Sequence, residues 1–398
     1  MTVRHFSPAV APATISIAAL VLAEILAMSL WFVSTALLPE MRTEVVLSAG
    51  QAAALATAVQ AGFVAGALAL AALGLADRFD PRRVFASAAL IAAAANAAMV
   101  LLAADHPGQI GLRAVTGAAL AGVYPVGMKI AVGWTTAQRG ALVGLLVGAL
   151  TLGSAAPHLI AFGAGQGWHG ATLIASGLAV VAAALMLLVR LGPHHRRAPG
   201  LSLAALALAW RDRRLRLAYA GYLGHMWELY AFWAWIGSAL ALSLSEGAAR
   251  LTAFAAIALG GLACLPAGGI ADRVGKADVA RAAMLISALA GLATVISLGG
   301  PPALTVLAAL VWGVSIIPDS AQFSALVADA APAERAGSLM TFQTAAGFLL
   351  SAVSVQILPL IAAQAGWTVA LLLLVPGPLL GAVAMSRLIA LQRGPLTG

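Results

Sequence analysis

Apolar runs of about 20 residues, the length that crosses the hydrocarbon core of a bilayer, alternate along this chain with short breaks where charge, proline and glycine cluster. The breaks predict helical spans at 13–37, 50–75, 84–104, 108–131, 140–164 and 168–190. A basic stretch running from "RLGPHHRRAPG" to "WRDRRLRLAY" follows, and a second set is predicted at 215–242, 250–270, 279–299, 303–328, 337–362 and 366–390. The pattern therefore predicts an all-α integral membrane protein with twelve transmembrane helices in two six-helix bundles, 1–192 and 215–398, joined by a basic linker over 193–214. The first span is too long for the apolar core of a signal peptide and lacks a cleavage site, so it is expected to stay as a helix.

Composition agrees with the pattern: 62% of residues are hydrophobic and 9% charged, and the mean hydropathy is +0.99, far from a soluble domain with roughly a quarter charged residues. Lys and Arg orient membrane proteins by staying on the cytoplasmic side. With the N-terminus inside, the inner loops hold Arg78, Arg82, Arg83, Arg139, Arg196, Arg197, Arg211, Arg213, Arg214, Arg216, Arg273, Lys276, Arg281 and Arg335, and the outer loops little beyond Arg42 and Arg250. Both termini are expected in the cytoplasm, in a bacterial cytoplasmic membrane. The net charge of +8 follows from this bias and from contact with anionic membrane lipid, so nucleic acid is not an expected partner. The single cysteine, Cys264, excludes an intrachain disulfide. A monomer is expected.

The two sets of spans repeat a loop. The second span ends in "GLADRFDPRR" and the eighth in "GGIADRVGKAD", each with Ala-Asp-Arg at the basic exit of its helix. Here the chain resembles the major facilitator superfamily, whose loop between second and third helices reads Gly-x-Leu-x-Asp-Arg-x-Gly-Arg-Arg or Lys. In the second half Gly268, Asp272, Arg273, Gly275 and Lys276 fit that pattern; in the first, Leu73 stands at the leading glycine and Asp80-Pro81 replaces the turn glycine. The resemblance implies six plus six helices and a conformational latch formed by Asp77, Arg78, Arg82, Arg83, Asp272, Arg273, Gly275 and Lys276. Without the family, acids at helix C-termini oppose the macrodipole and need a cationic or N-terminal partner, while the plainer reading is a set of solvated charges that fix topology.

A second repeat sets "EILAMSLW" (Glu24 to Trp31) beside "ELYAFWAW" (Glu228 to Trp235), with acid, Ala and Trp in register. Halves related by a twofold axis along the membrane normal would bring Glu24 and Glu228 to the centre from opposite sides. Deep charges are costly in a bilayer and usually face protein or a cavity. Glu24 lies in span 1, Arg113 in span 4, His225 and Glu228 in span 7, and Asp319 in span 10; the resemblance implies that these four helices line a central cavity. Helical periodicity extends each group into a face: His225, Glu228, Phe232 and Trp235; Arg113, Gly117, Leu120 and Tyr124; Trp312, Ser315, Asp319, Gln322 and Phe323. With Trp31 these form the expected substrate and proton pathway. His158, after Pro157, reads as a satisfied packing histidine, and Lys129, about 160° from Arg113 around an ideal helix, as a side chain snorkelling to the interface. Pro125 and Pro318 are candidate kinks.

Small residues recur in span 2 (Ala58, Gly62, Gly66), span 5 (Gly140, Gly144, Gly148), span 8 (Gly260, Gly261, Gly268) and span 11 (Gly337, Gly347). Such spacing permits close helix approach, and the resemblance implies that these four helices form the sliding contacts between halves. The family's antiporter signature, a Gly-Pro pair within the glycines of helix 5, is not matched by "GLLVGALTLGSAAP", where Pro157 is displaced.

No phosphate-binding loop, His-Glu-x-x-His or Gly-x-Ser-x-Gly occurs, so neither ATP drive nor an enzyme is expected, and no cofactor or metal. The expected function is proton-coupled secondary transport of a small solute by alternating access. A carboxylate in a low-dielectric cavity has its neutral form favoured, which suits Glu24, Glu228 and Asp319 to carry protons. With Arg113 as anchor, the substrate is a small organic or inorganic anion; with acids and aromatics dominant, it is a cationic or amphipathic drug exported against a proton gradient. A transport-inactive sensor of the same fold is the remaining alternative. Span 2 has no Arg and span 8 only Arg250 at its mouth, unlike the nitrate and nitrite carriers of the superfamily.

Overall fold

The computed structural model describes residues 10–135, 139–163, 167–195, 204–332 and 335–393. All regular structure among them is helical. Helices stand at every predicted span, and nine stretches among the described residues are long and apolar enough, by length and composition, to cross a membrane. The last of these, 336–393, folds back on itself at Gly366, whose φ of +83° is a left-handed conformation that only glycine adopts readily.

In chain order the helices are α1 (Val10–Met28), α2 (Ala49–Leu73), α3 (Pro81–Ala98), α4 (Gly108–Leu120 and Tyr124–Val132), α5 (Arg139–Gly163) and α6 (Gly167–Leu185). Then come α7 (Arg213–Leu240), α8 (Glu246–Val274), α9 (Lys276–Ser297), α10 (Pro302–Ser315 and Ser320–Ala330), α11 (the limb of Ala336–Leu372 before Gly366) and α12 (the limb after it, continued by Pro376–Arg393). A short helix, Ala204–Arg211, lies in the predicted linker. Arg196 and Arg197, expected on the basic side, lie outside the described residues.

Proline decides where several helices break. Pro125 and Pro318 lack the N–H that would reach back one turn, and α4 is interrupted at 121–123 and α10 at 316–319. The kinks expected there are full breaks. Pro157, Pro266 and Pro359 stay inside continuous helices. The span that the pattern predicts over 13–37 is also broken, at 29–32, with a short helix Val33–Ala36 resuming it, although no proline falls there.

The loop after α2 starts with Gly74 at φ +61°, a left-handed cap, and its Asp80 then caps α3 by accepting from the Arg82 amide at 2.9 Å, with Pro81 in the first turn. The Asp80-Pro81 pair thus starts the next helix at the position where the second half uses Gly275, with φ +108°.

Within the first half α2 packs on α4, α3 on α6 and α1 on both α5 and α6; within the second, α7 packs on α11 and α12, and α9 on α10 and α12. The halves meet along α5 with α8 and α2 with α11. Only part of the small-residue pattern serves that junction. Gly148 faces Gly261 across it, a Cβ at Gly148 lying 3.1 Å from the Gly261 carbonyl oxygen. Gly62 and Gly66 instead let α2 approach α4 of the same half, and Gly260 lets α8 approach α10. Backbones come closest where two helices of one bundle cross, and glycine is demanded there first.

Candidate functional site

The break in α1 builds the first part of the site. Chain that leaves the helix at Ser29 frees carbonyls that lipid cannot satisfy. Arg113 of α4, fully buried, supplies the donors: its Nη1 donates to the Leu30 carbonyl at 3.0 Å and its Nη2 to the Trp31 carbonyl at 2.5 Å. Nη1 also donates to Asn96 Oδ1 of α3 at 3.0 Å, and the Asn96 amide nitrogen donates to Ser176 Oγ and the Thr172 carbonyl of α6. A polar chain therefore runs from the α1 break through α4 and α3 to α6. One turn before the break, Glu24 is also fully buried, with neither carboxyl oxygen hydrogen bonded among the described residues. It faces Gly127 of the second α4 piece, where a Cβ would lie 3.1 Å from Glu24 Oε2. Tyr124 starts that piece.

In the second half, His225 Nδ1 lies 2.9 Å from Asp319 Oδ1, with both side chains buried. Asp319 sits at the α10 break, and Phe323, one turn on, packs against the His225 ring with centroids 5.7 Å apart. Gln322 is buried beside it. Glu228 Oε1 accepts from Ser287 Oγ of α9 at 2.8 Å and from Trp312 Nε1 of α10 at 2.5 Å. Phe232 stacks on Trp312 at 4.7 Å. The predicted α7 face thus turns into its own bundle against α9 and α10. Trp235, placed on that face by periodicity, donates to the Val355 carbonyl of α11 at 2.9 Å and stacks on Trp367.

Toward the other half α7 presents Tyr230 and Trp233 and, nearer its end, Gly237. Tyr230 lies about 160° around the helix from Glu228. Trp31 packs against Phe63 of α2, Tyr230 and Phe348 of α11 with centroids 4.9 to 5.6 Å apart, and Phe32 meets Trp233 edge-on at 6.1 Å. This aromatic cluster joins both halves, and so does Ser351 Oγ, which donates to Gln60 Oε1 at 3.2 Å. Tyr230 and Trp233 stood in the sequence on the face opposite the acid, and Asn96 stood as the one amide in an alanine run of α3. Phe63 and Phe348 carried no signal beyond being aromatic.

Ion pairs distinguish the two ends. At the basic end each pair stays within a half: Lys129 of α4 with Asp77, and Lys276 with Asp329 of α10 at 2.5 Å. Lys129, expected to snorkel, instead neutralises the acid at the α2 exit. Arg82 binds Asp80 at 2.6 Å and holds its carboxyl below the usual carboxylate range; Arg78 and Arg83 are near, and Asp272, Arg273 and Gly275 are exposed at the matching turn. At the far end Arg250 of α8 pairs with Glu40, after α1, at 2.6 Å and with Glu246 at 2.5 Å, and donates to the Ala161 carbonyl of α5. That pair crosses the halves.

Residues 20–355 match the Major Facilitator Superfamily. The chain belongs to that superfamily. Solved structures share its fold over nearly their full length. A D-xylose-proton symporter superposes with a TM-score of 0.76 at 14% identity, covering 94% of this chain and 97% of the symporter. A xylose transporter from E. coli in a partially occluded inward-open conformation gives 0.75 at 15% identity over 96% and 98%. A nucleoside transporter gives 0.69 at 16% identity over 94% and 100%. No curated protein matches the sequence significantly. The chain is an integral membrane protein with the transporter fold of the superfamily.

Proposed function

We propose that this superfamily member is a secondary active transporter that moves a small organic solute by alternating access and couples it to protons through Glu24. The observation that carries the reading is the isolation of that carboxyl: fully buried, between the α1 and α4 breaks, with no hydrogen-bond partner among the described residues. A charge withdrawn from water without a partner is prohibitively costly. Glu24 therefore carries a proton in this closed arrangement and releases it when the cavity opens to water. In the second half, Asp319, which lies against His225, and Glu228 are the matching proton carriers in this reading.

The engagement of Arg113 bears on substrate. Both of its terminal nitrogens are committed to Leu30, Trp31 and Asn96, so the groups left to meet a ligand are acidic side chains and aromatic rings. That supports a cationic or amphipathic solute over the small anion, and the proton symport named for one structural neighbour supports proton coupling. In this reading the protein works as a monomer in a bacterial cytoplasmic membrane, basic end and termini inside, with 1–192 and 215–398 as the moving units.

A thermal-shift screen against cationic drugs, anions, sugars and nucleosides, followed by uptake into proteoliposomes with and without a pH gradient, tests the reading. Accumulation of a screened ligand that collapses with the gradient is expected. A ligand that stabilises the protein but is never moved would instead identify a sensor.

A further inference from the structure

Between the halves, toward the Glu40–Arg250 end, lies a small cavity of about 50 Å³ lined by His158 of α5, Gly237 and Ser238 of α7, Arg250 of α8, and Thr35 at the resumed end of the first span. His158 is 3% exposed. Its ring is hydrogen bonded to the backbone of Trp233, which fixes one nitrogen as a donor across the halves, and its Nε2 has no partner among the described residues. A Cβ at Gly237 would touch the ring at 3.3 Å, so α7 closes directly over it. The expectation of a satisfied packing histidine is met at one nitrogen and fails at the other.

We propose that His158 is a further proton-binding site, separate from Glu24 and from the acids of the second half, and that the far end of the transporter closes only when this imidazole has given up its proton. A neutral ring with Nδ1 donating to a carbonyl leaves Nε2 as a lone pair, which a small cavity tolerates. An imidazolium would place a second N–H there with no acceptor, facing the Arg250 guanidinium, at the cost of burying an unpaired donor and a like charge.

The charged groups on the elements packed around it are mostly engaged elsewhere. From α8, Arg250 and Glu246 line the cavity, and Arg250 is bound by Glu246 and by Glu40. From α6, His169 pairs with Glu44 at 3.6 Å. Lys129 of α4 pairs with Asp77 at the basic end, Asp319 of α10 lies against His225, Glu228 of α7 is bound within its own half, and Glu24 of α1 belongs to the first proton site. Glu40 is held by Arg250 through Oε1 and keeps a buried, unpartnered Oε2, yet Nε2 of His158 has no hydrogen-bond partner among the described residues. With the far end open, α7 and α8 withdraw, water reaches the ring, and it takes up a proton as an ordinary histidine does.

The inference rests on alternating access, and its test separates the two. In a Cys264→Ser background, Ser238→Cys reports whether water reaches the cavity. Its labelling by an impermeant maleimide, corrected for the reagent's own pH response with free cysteine, is followed in proteoliposomes from pH 8 to pH 5. The corrected rate is expected to rise as pH falls, by up to about tenfold per pH unit, the limit for one linked proton. In His158→Asn, whose amide still donates to the Trp233 carbonyl but cannot ionise, the profile is expected to be flat. A flat native profile, or a pH dependence that survives His158→Asn, overturns the assignment. If that happens while proton-driven uptake persists, the transport reading stands without it; if uptake is absent as well, both fall.

Discussion

Glu24 and Glu228 occupy matching places in the repeated sequence, yet their surroundings differ. Glu228 is the acceptor for Trp312 and Ser287, so removing it strands two buried donors, each costing about 1–3 kcal/mol. Glu228→Ala is therefore expected to lower the thermal midpoint of the purified protein markedly, whereas Glu228→Gln, whose amide oxygen can accept the same two bonds, should stay close to native. Glu24 has no such obligations. Glu24→Gln should fold normally and fix the neutral form, abolishing accumulation driven by a pH gradient while leaving exchange between equal substrate pools, which needs no net proton movement. Loss of exchange along with accumulation would make Glu24 a ligand-binding group instead. The sequence flagged both acids because deep charge is rare in apolar helices, but their difference is written in Ser287 and Trp312, residues on other helices that no repeat connects to Glu228.

The elements show the same division between local and tertiary causes. Proline marks the breaks in α4 and α10, and these were visible in advance as kinks. The break at 29–32 was not, since its residues carry no helix-breaking signal and the carbonyls it frees are satisfied by Arg113, which is more than eighty positions away in sequence. Arg113 itself was singled out, but as a cavity group, because sequence can show that a charge is buried and not which backbone it serves. Its role as a clamp predicts the effect of Arg113→Lys. A single ammonium cannot serve Leu30, Trp31 and Asn96 in the guanidinium's fixed geometry, so a loss of about 1–3 kcal/mol is expected in thermal unfolding. Faster amide hydrogen exchange confined to residues 29–33 would place the loss at the break, whereas uniform exchange across α4 would argue that the arginine merely fills space.

At the scale of the whole molecule, the duplicated Ala-Asp-Arg loops and the even spacing of apolar runs were enough to read two bundles of one fold, because membrane spans are set by length and loop charge rather than by fine packing. How the bundles touch was less legible. The resemblance implies a sliding contact through four helices rich in small residues, and several of their glycines serve crossings inside a bundle, while the junction is also carried by the Trp31, Phe63, Tyr230 and Phe348 cluster and by Glu40 with Arg250. The distribution of ion pairs has a consequence for the conformational balance. At the basic end the pairs at Asp77 and Lys276 lie within halves and can persist as the halves move apart; at the far end the Glu40–Arg250 pair must break. Glu40→Gln removes the cross-half partner but leaves Glu246 on the same helix as Arg250, so the guanidinium is not stranded. The side chains of the pair are 13% and 20% exposed, and a partly screened pair of this kind contributes about 1 kcal/mol, equivalent to roughly a fivefold change in the ratio of open to closed far ends. Thiol labelling of Thr35→Cys, beside the cavity on the first-half side, is expected to accelerate by about that factor when Glu40→Gln is added, and with Glu40 retained the rate should rise with salt as the pair is screened. Labelling that responds to neither the substitution nor salt would show that the aromatic cluster alone holds the far end shut.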